Sequence, residues 1–364
     1  MKKRVLLIVE SMSPLGPAHQ LSLLARHLVT ADFEVHIAVL NDRQPNHFSL
    51  PSDCQVHHLE IQKRDWLAWQ KLRKLAQAIQ PSICHDWSVG TLTRAAIGDC
   101  FPQISSQYKS QVNHWRHELH QWWVSRTALG PIHYVASHQI VAESLGERGV
   151  REENVTVIPP AVDFELSFAR DGARQFILDE YGLADNSVIV GTYAPLVPAM
   201  RIKDLIWAID LINCIRDDVQ LLVMGNGSQL NRLQRFLRCT AAMTHVHFIG
   251  CPTASSKILA GLDVYWNSHL QWPSPPALLN AMQFGVPAVS VHGAETDGIV
   301  VHQTTGFSVN VGARDEFARW TKYLIEQKEG ARQIASQGQQ HVRQEFQSGA
   351  LGDAYLELYE AISS

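Results

Sequence analysis

One stretch, Asp263 to Gly306, constrains the fold more than any other: DVYWNSHLQWPSPPALLNAMQFGVPAVSVHGAETDGIVVHQTTG. Within it, Ala277-Leu278-Leu279-Asn280-Ala281-Met282 combines strong helix formers with apolar spacing. Gly285 supplies a left-handed stop, and Pro287, which lacks an N–H, keeps the helix from resuming. Ala288-Val289-Ser290-Val291 then reads as a short buried strand. A helix that feeds a buried strand this abruptly belongs to a parallel sheet, because parallel strands need such crossovers.

The chain opens with the same β-loop-α-β order. Val5 to Val9 is apolar on both faces, as a central parallel strand is. A loop from Glu10 to Pro17 leads to a helix with Leu21, Leu24, Ala25 and Leu28 on one face, and Glu34 to Leu40 is the second strand. Doubly wound folds of this kind bind ligands at the carboxyl ends of their strands. Trp66 to Ile79 reads as an amphipathic helix, Ile83 to Trp87 as a strand end, and Tyr134 to Ser137 as a strand. Ile140 to Leu145 is a helix stopped by Gly149, and Val155 to Pro160 is the last strand of the first half. The second half restarts with Val188 to Gly191, a helix over Leu205 to Ile212, and strands at Val219 to Gly227 and His245 to Gly250. Leu259 to Val264 alternates apolar residues and reads as further sheet, and the tail is helical at Phe317 to Glu329 and Leu351 to Ile362.

A length of 364 residues allows two domains, each with its own core. The formal net charge of −4 gives no basic face for nucleic acid. No segment approaches about 20 consecutive apolar residues, so no transmembrane segment is expected. The start, MKKRVLLIVESMSP, puts basic residues before an apolar run, but Glu10 ends that run too early for a signal peptide. The six cysteines form no Cys-x-x-Cys pair, which suits a reduced, cytoplasmic chain. His117 and His120, in NHWRHELHQWW, are three apart and would need further ligands to hold a metal, so no metal is expected. Trp122-Trp123 suits weak membrane contact at most, because no basic cluster flanks it.

The run Leu278-Leu279-Asn280-Ala281-Met282-x-x-Gly285-x-Pro287 resembles the "LLEAMA-G-P-V" signature of retaining GT-B glycosyltransferases, family four (glycosyl transferases group 1) in particular. VASHQIVAESLGERGVREENVTVIPPAVD, ending at Asp163, resembles the family's "vanS…VIpnGvD", with Pro160-Ala161 in place of Asn-Gly. Thr305-Gly306-Phe307 matches "TGllv", so the resemblance touches most of the chain. It implies an α/β chain of GT-B architecture, two Rossmann-like parallel-sheet domains facing across a cleft. Residues 1–165 would form the acceptor-side domain and 166–345 the nucleotide-sugar side. A helix over 346–364 would cross back, and a linker would run through about 164 to 186. The implied partners are a nucleotide-sugar donor, as co-substrate rather than cofactor, and a hydroxyl acceptor that the sequence does not identify.

The resemblance also places site residues. Gly16, in Gly16-Pro17-Ala18-His19, stands at the family's "GGAE" loop, whose backbone approaches donor phosphates or acceptor; Pro17 removes one N–H from it. Gly191-Thr192-Tyr193 stands at "VGR", with Thr192 in place of a phosphate-binding arginine, and Arg201 or Lys203 stands for the family's lysine. Gly225 and Gly227 belong to the turn "vGdGp". Two glutamates that meet the sugar and the ribose are Trp272 and Asn280 here, so a charge-assisted carboxylate contact is lost at each. The acidic "GG-x-x-E" loop aligns nearest Gly298, while the acids present are Glu295 and Asp297. His85 ends the strand resembling "HAHDW"; two readings stand, a contact to sugar or acceptor and a hydrogen-bonded core histidine. With His85, Arg201 and Lys203 as the catalytic candidates, the implied activity is retaining transfer of a hexose from a nucleotide-sugar. The alternative is an impaired homologue that binds another ligand or a partner.

Overall fold

A computed structural model of the chain describes residues 2–12, 16–41, 50–61, 69–88, 93, 96–107, 132–269, 276–293, 296 and 298–363. The start of the helix expected at Trp66, the Asn113 to Trp123 segment with its paired histidines and tryptophans, Trp272, Glu295 and Asp297 lie outside them. The chain divides into two compact units, Met1–Ala161 with Ser348–Ser364, and Val162–Gln347.

The first unit runs β1 (Arg4–Val9), α1 (Pro17–Thr30), β2 (Glu34–Val39), β3 (Gln55–His58), α2 (Trp69–Ile79), β4 (Ile83–Asp86), β5 (Gln103–Gln107), β6 (Ile132–Ala136), α3 (Gln139–Gly146) and β7 (Val155–Val157). Its parallel sheet has the order β3-β2-β1-β4-β5-β6-β7, so the winding reverses between β1 and β4. Pro17 is the first residue of α1, where a missing N–H costs nothing, and Leu21, Leu24, Ala25 and Leu28 are all buried. β3 and β5 had no clear signal in the sequence. β3 is the sheet edge, half-exposed and written QVHH, and β5 is the polar run QISSQ.

The second unit begins with α4 (Arg170–Tyr181), a 12-residue helix where a linker was expected. Only Ala173, Ile177 and Leu178 of it are buried, among charges that mask the periodicity, and Gly182 at φ 63° stops it. Next come β8 (Val188–Tyr193), α5 (Ile202–Asn213), β9 (Val219–Met224), α6 (Leu230–Leu237) and β10 (Val246–Gly250). α7 (Ser255–Ala260), β11 (Val264–Asn267), α8 (Pro276–Gln283), β12 (Ala288–Val291), β13 (Phe307–Val309), α9 (Arg314–Glu326) and α10 (Lys328–Glu345) complete it. Of Leu259 to Val264, expected as sheet, Leu259–Ala260 end α7, residues 261–263 turn into β11, and Val264 alone begins that strand. Asp263 fixes that turn: its carboxylate accepts from the Ile189 N–H at 2.8 Å and pairs with Arg174 at 2.7 Å and Arg170 at 3.2 Å. The sheet order is β10-β9-β8-β11-β12-β13, all parallel, with the reversal between β8 and β11.

The last helix, α11 (Ser348–Ser363), belongs to the first unit, where Leu351, Tyr355, Leu358 and Tyr359 share one core with Val5, Leu7, Leu21 and Leu24. Gly352 sits against the His27 ring, in space that a Cβ would occupy. Among the described residues no helix is long and apolar enough to cross a membrane.

Candidate functional site

In an open parallel sheet the strand order leaves a crevice where it reverses, at the carboxyl ends of the two strands. In the second unit those strands are β8, ending Gly191-Thr192-Tyr193, and β11, ending at Asn267. The loops leaving β8 and β9 are bonded together. Ala194 N–H donates to the Met224 carbonyl at 3.0 Å, Leu196 N–H to Asn226 at 2.9 Å, and Gln229 N–H to Leu196 at 2.8 Å. This close approach demands the two glycines. Gly225 has φ 124° and a Cβ there would overlap the Ala194 carbonyl; at Gly227 a Cβ would fall on the Leu196 backbone. Gly191 serves packing, because its missing Cβ leaves room for the Leu262 side chain.

The β8–α5 loop ends on Arg201, which adopts the left-handed conformation at φ 54° and is the N-cap of α5. The Ser268 hydroxyl, just past β11, donates to the Met200 carbonyl at 2.6 Å and ties the loop to the strand across the reversal. The Arg201 guanidinium lies 2.6 Å from Asp204 Oδ2. Lys203 points elsewhere: its ammonium sits 4.4 Å from the centre of the Phe236 ring on α6. A residue the sequence pattern did not single out, Arg314 at the start of α9, reaches Asp204 Oδ1 at 3.0 Å. Aspartate three residues after Arg201 was the one local signal for this cluster.

Thr192 and Asn280 are both buried. The Asn280 amide donates to the Pro276 carbonyl of its own helix at 2.7 Å, so that donor is already used. At the end of β11, Asn267 donates to the Ser290 hydroxyl at 2.9 Å, and two residues on burial pushes the His269 imidazole down to about 4, holding it neutral at ordinary pH.

In the first unit the reversal lies between β1 and β4, and Trp87 N–H donates to the Ile8 carbonyl at 2.7 Å across it. Gly16, with φ 118°, precedes α1 in open space, so its conformation rather than crowding calls for glycine. Gln20 clamps the turn at Pro160-Ala161. Its amide donates to the Ala161 carbonyl at 2.8 Å and accepts from the Ala161 N–H at 2.7 Å. His85 is fully buried, with Nδ1 2.6 Å from the Tyr359 hydroxyl and Nε2 2.8 Å from Ser106. Burial pushes its pKa down to about 3, so the ring is neutral and both nitrogens are occupied. Among the described residues no group of three or more His, Cys, Asp or Glu side chains is placed to hold a metal.

The two halves of the sequence match two family models, "Glycosyltransferase Family 4" over residues 16–166 and "Glycosyl transferases group 1" over 173–341. N-acetyl-alpha-D-glucosaminyl L-malate synthase of Bacillus anthracis is 22% identical over 223 residues, 61% of this chain and 58% of that protein. The lipopolysaccharide core biosynthesis glycosyltransferase LpsE of Rhizobium meliloti is 24% identical over 140 residues, 38% of this chain and 41% of its own length. These alignments thus span about three fifths and two fifths of the two relatives. In fold, the chain superposes on Anabaena Alr3699/HepE in complex with UDP-glucose at a TM-score of 0.80, with 17% identity and coverage of 98% of this chain and 99% of that one. Sucrose-phosphate synthase from Thermosynechococcus elongatus gives 0.79 at 15% identity, with 99% of each chain covered.

Proposed function

The chain belongs to the glycosyltransferases of group 1, with the GT-B fold, and from that premise we propose that it transfers a hexose from a nucleotide-sugar to a hydroxyl acceptor with retention of configuration. The observation that carries the proposal is Arg201, held by Asp204 and by the Ser268-anchored loop at the carboxyl end of β8, beside the strand-order reversal of the second unit. A guanidinium preset there needs no reorganisation to meet the donor's diphosphate. The UDP-glucose bound by the Anabaena protein suggests a uridine donor among the candidates.

In this reading the bond between the sugar's anomeric carbon and the diphosphate oxygen breaks, and the acceptor oxygen bonds to the same face of that carbon. The acceptor proton passes to the departing phosphate oxygen, so no protein base is needed and stabilising the phosphate charge carries most of the rate. Arg201 supplies that charge. Gly225 and Gly227 turn the β9 loop against the β8 loop, and Thr192 and Asn280 are the further donor contacts that the family resemblance places in the second unit. His85 contributes indirectly, by fixing the end of β4, because neither ring nitrogen is open to a substrate.

A second reading, donor binding without transfer, is favoured by Asn280, which has a neutral amide, one N–H already given to its own helix, where a carboxylate would meet the ribose. One experiment separates the two. The chain is incubated with UDP-, GDP- and ADP-hexoses and a panel of alcohol acceptors, and nucleoside diphosphate release and product anomeric configuration are followed by NMR. Release with retention supports transfer; binding without release supports the second reading, and an inverted product rejects the retaining mechanism.

A further inference from the structure

Resting on the donor-binding reading above, we infer that Arg314 is the second cation for the donor diphosphate, in place of the arginine that Thr192 displaces, and that Asp204 positions Arg201 and Arg314 as one unit. The Asp204 side chain is 9% exposed and each of its oxygens takes one arginine, Arg201 at 2.6 Å and Arg314 at 3.0 Å. The arginine side chains are 40% and 43% exposed, so the carboxylate lies inside while both guanidinium groups keep an outer side. One carboxylate shared by two guanidinium groups leaves a net charge of +1.

Each arginine also keeps unused donors. Arg314 spends only Nε on Asp204, and among the described residues its terminal nitrogens make no hydrogen bond. Arg201 Nε is buried and without a partner there. The loop before α9 makes room for the pair, since a Cβ on Gly312 would lie 3.0 Å from Arg201 Nη2. Trp207, on α5, backs Arg314 at 5.7 Å and stacks at a tilt on Phe236, the ring that carries Lys203. Lys203 thus occupies one end of an aromatic shelf and Arg314 the other. Two guanidinium forks beside one carboxylate suit an anion with several oxygens, such as a diphosphate, better than a single carboxylate ligand.

The test uses the full chain. Calorimetric titrations with UDP, GDP and ADP, and with uridine, guanosine and adenosine, are run on the parent, Arg314→Met, Arg314→Lys and Asp204→Asn at two salt concentrations. For the nucleoside diphosphate that the parent binds, Arg314→Met is expected to weaken binding at least tenfold and flatten its salt dependence, while the matching nucleoside changes less than twofold. Arg314→Lys should recover part of the loss, and Asp204→Asn should weaken the diphosphate through both arginines. Unchanged diphosphate binding in Arg314→Met overturns this inference alone. Equal losses for nucleoside and diphosphate would mark Arg314 as a structural clamp and overturn it too. A parent that binds none of the three diphosphates overturns the donor-binding reading together with this one.

Discussion

The Nδ1 of His85 lies 2.6 Å from the hydroxyl of Tyr359, a residue 274 positions further along the chain. The bond joins β4 to α11, and Ser106 on β5 takes the other ring nitrogen at 2.8 Å. Trp87 and Tyr355 close over the imidazole, with ring centres 4.8 and 5.3 Å from it. A neutral imidazole has one donor and one acceptor, and these two hydroxyls satisfy both. The network therefore ties the last helix to the strand beside the winding reversal of the first unit.

Protonating that ring would bury an unpaired charge, which sets a pH dependence. An unfolded histidine titrates near 6.5, whereas His85 in the fold is held down to about 3. Between those values the unfolded chain binds more protons, so stability rises with pH, is complete above about 6.5 and is lost as pH falls. The limiting slope is about 1.4 kcal/mol per pH unit for one such group. His269, held down to about 4, adds to the same trend in the second unit. Urea unfolding followed from pH 7 to pH 4.5 should show this loss, and His85→Gln should flatten the part belonging to the first unit. An equal slope in parent and variant would contradict the assignment.

Tyr359→Phe removes the hydroxyl and leaves a buried ring nitrogen unpaired, at a cost of about 1–3 kcal/mol. The effect should be local. Hydrogen exchange measured by mass spectrometry should speed up in the peptide covering Ser348–Ser363 and in β4, while peptides from Val162–Gln347 stay at the parent rate.

Gly225→Ala should be more damaging than an ordinary loop substitution. It adds strain at φ 124° to a collision with the Ala194 carbonyl, so a loss of about 3 kcal/mol or more is expected. Gly16→Ala meets open space and pays only for its backbone conformation, about 1–3 kcal/mol. Melting temperatures of the two variants should therefore fall in that order.

Much of the fold could be read from the chain because its central strands are apolar on both faces and its punctuation is explicit. Gly285-x-Pro287 places the end of α8 and the start of β12 almost to the residue. Edge strand β3 and the polar β5 gave no such signal, and α4 hid three buried positions among charged ones. The site was legible only where a local rule applied, as for the turning glycines Gly225 and Gly227. Spacing could not choose between Arg201 and Lys203; the choice rests on Asp204 for one and on the Phe236 ring for the other. Arg314 lies 110 positions from the carboxylate it pairs with, and of the two partners of His85, Tyr359 is 274 positions away and Ser106 is 21. Such contacts are made by topology, and no short motif records them.

The proposed function requires the second unit to hold a nucleotide-sugar through Arg201 at the end of β8. Calorimetric titration of UDP-glucose, GDP-mannose and ADP-glucose into the parent chain and into Arg201→Ala tests it most directly. The parent should bind at least one donor saturably. Once the variant is shown to melt cooperatively as the parent does, that binding should weaken by about 1.5–3 kcal/mol, the worth of a hydrogen bond to a charged group. A parent that binds none of the donors, or a folded variant that binds them as well as the parent, would contradict it.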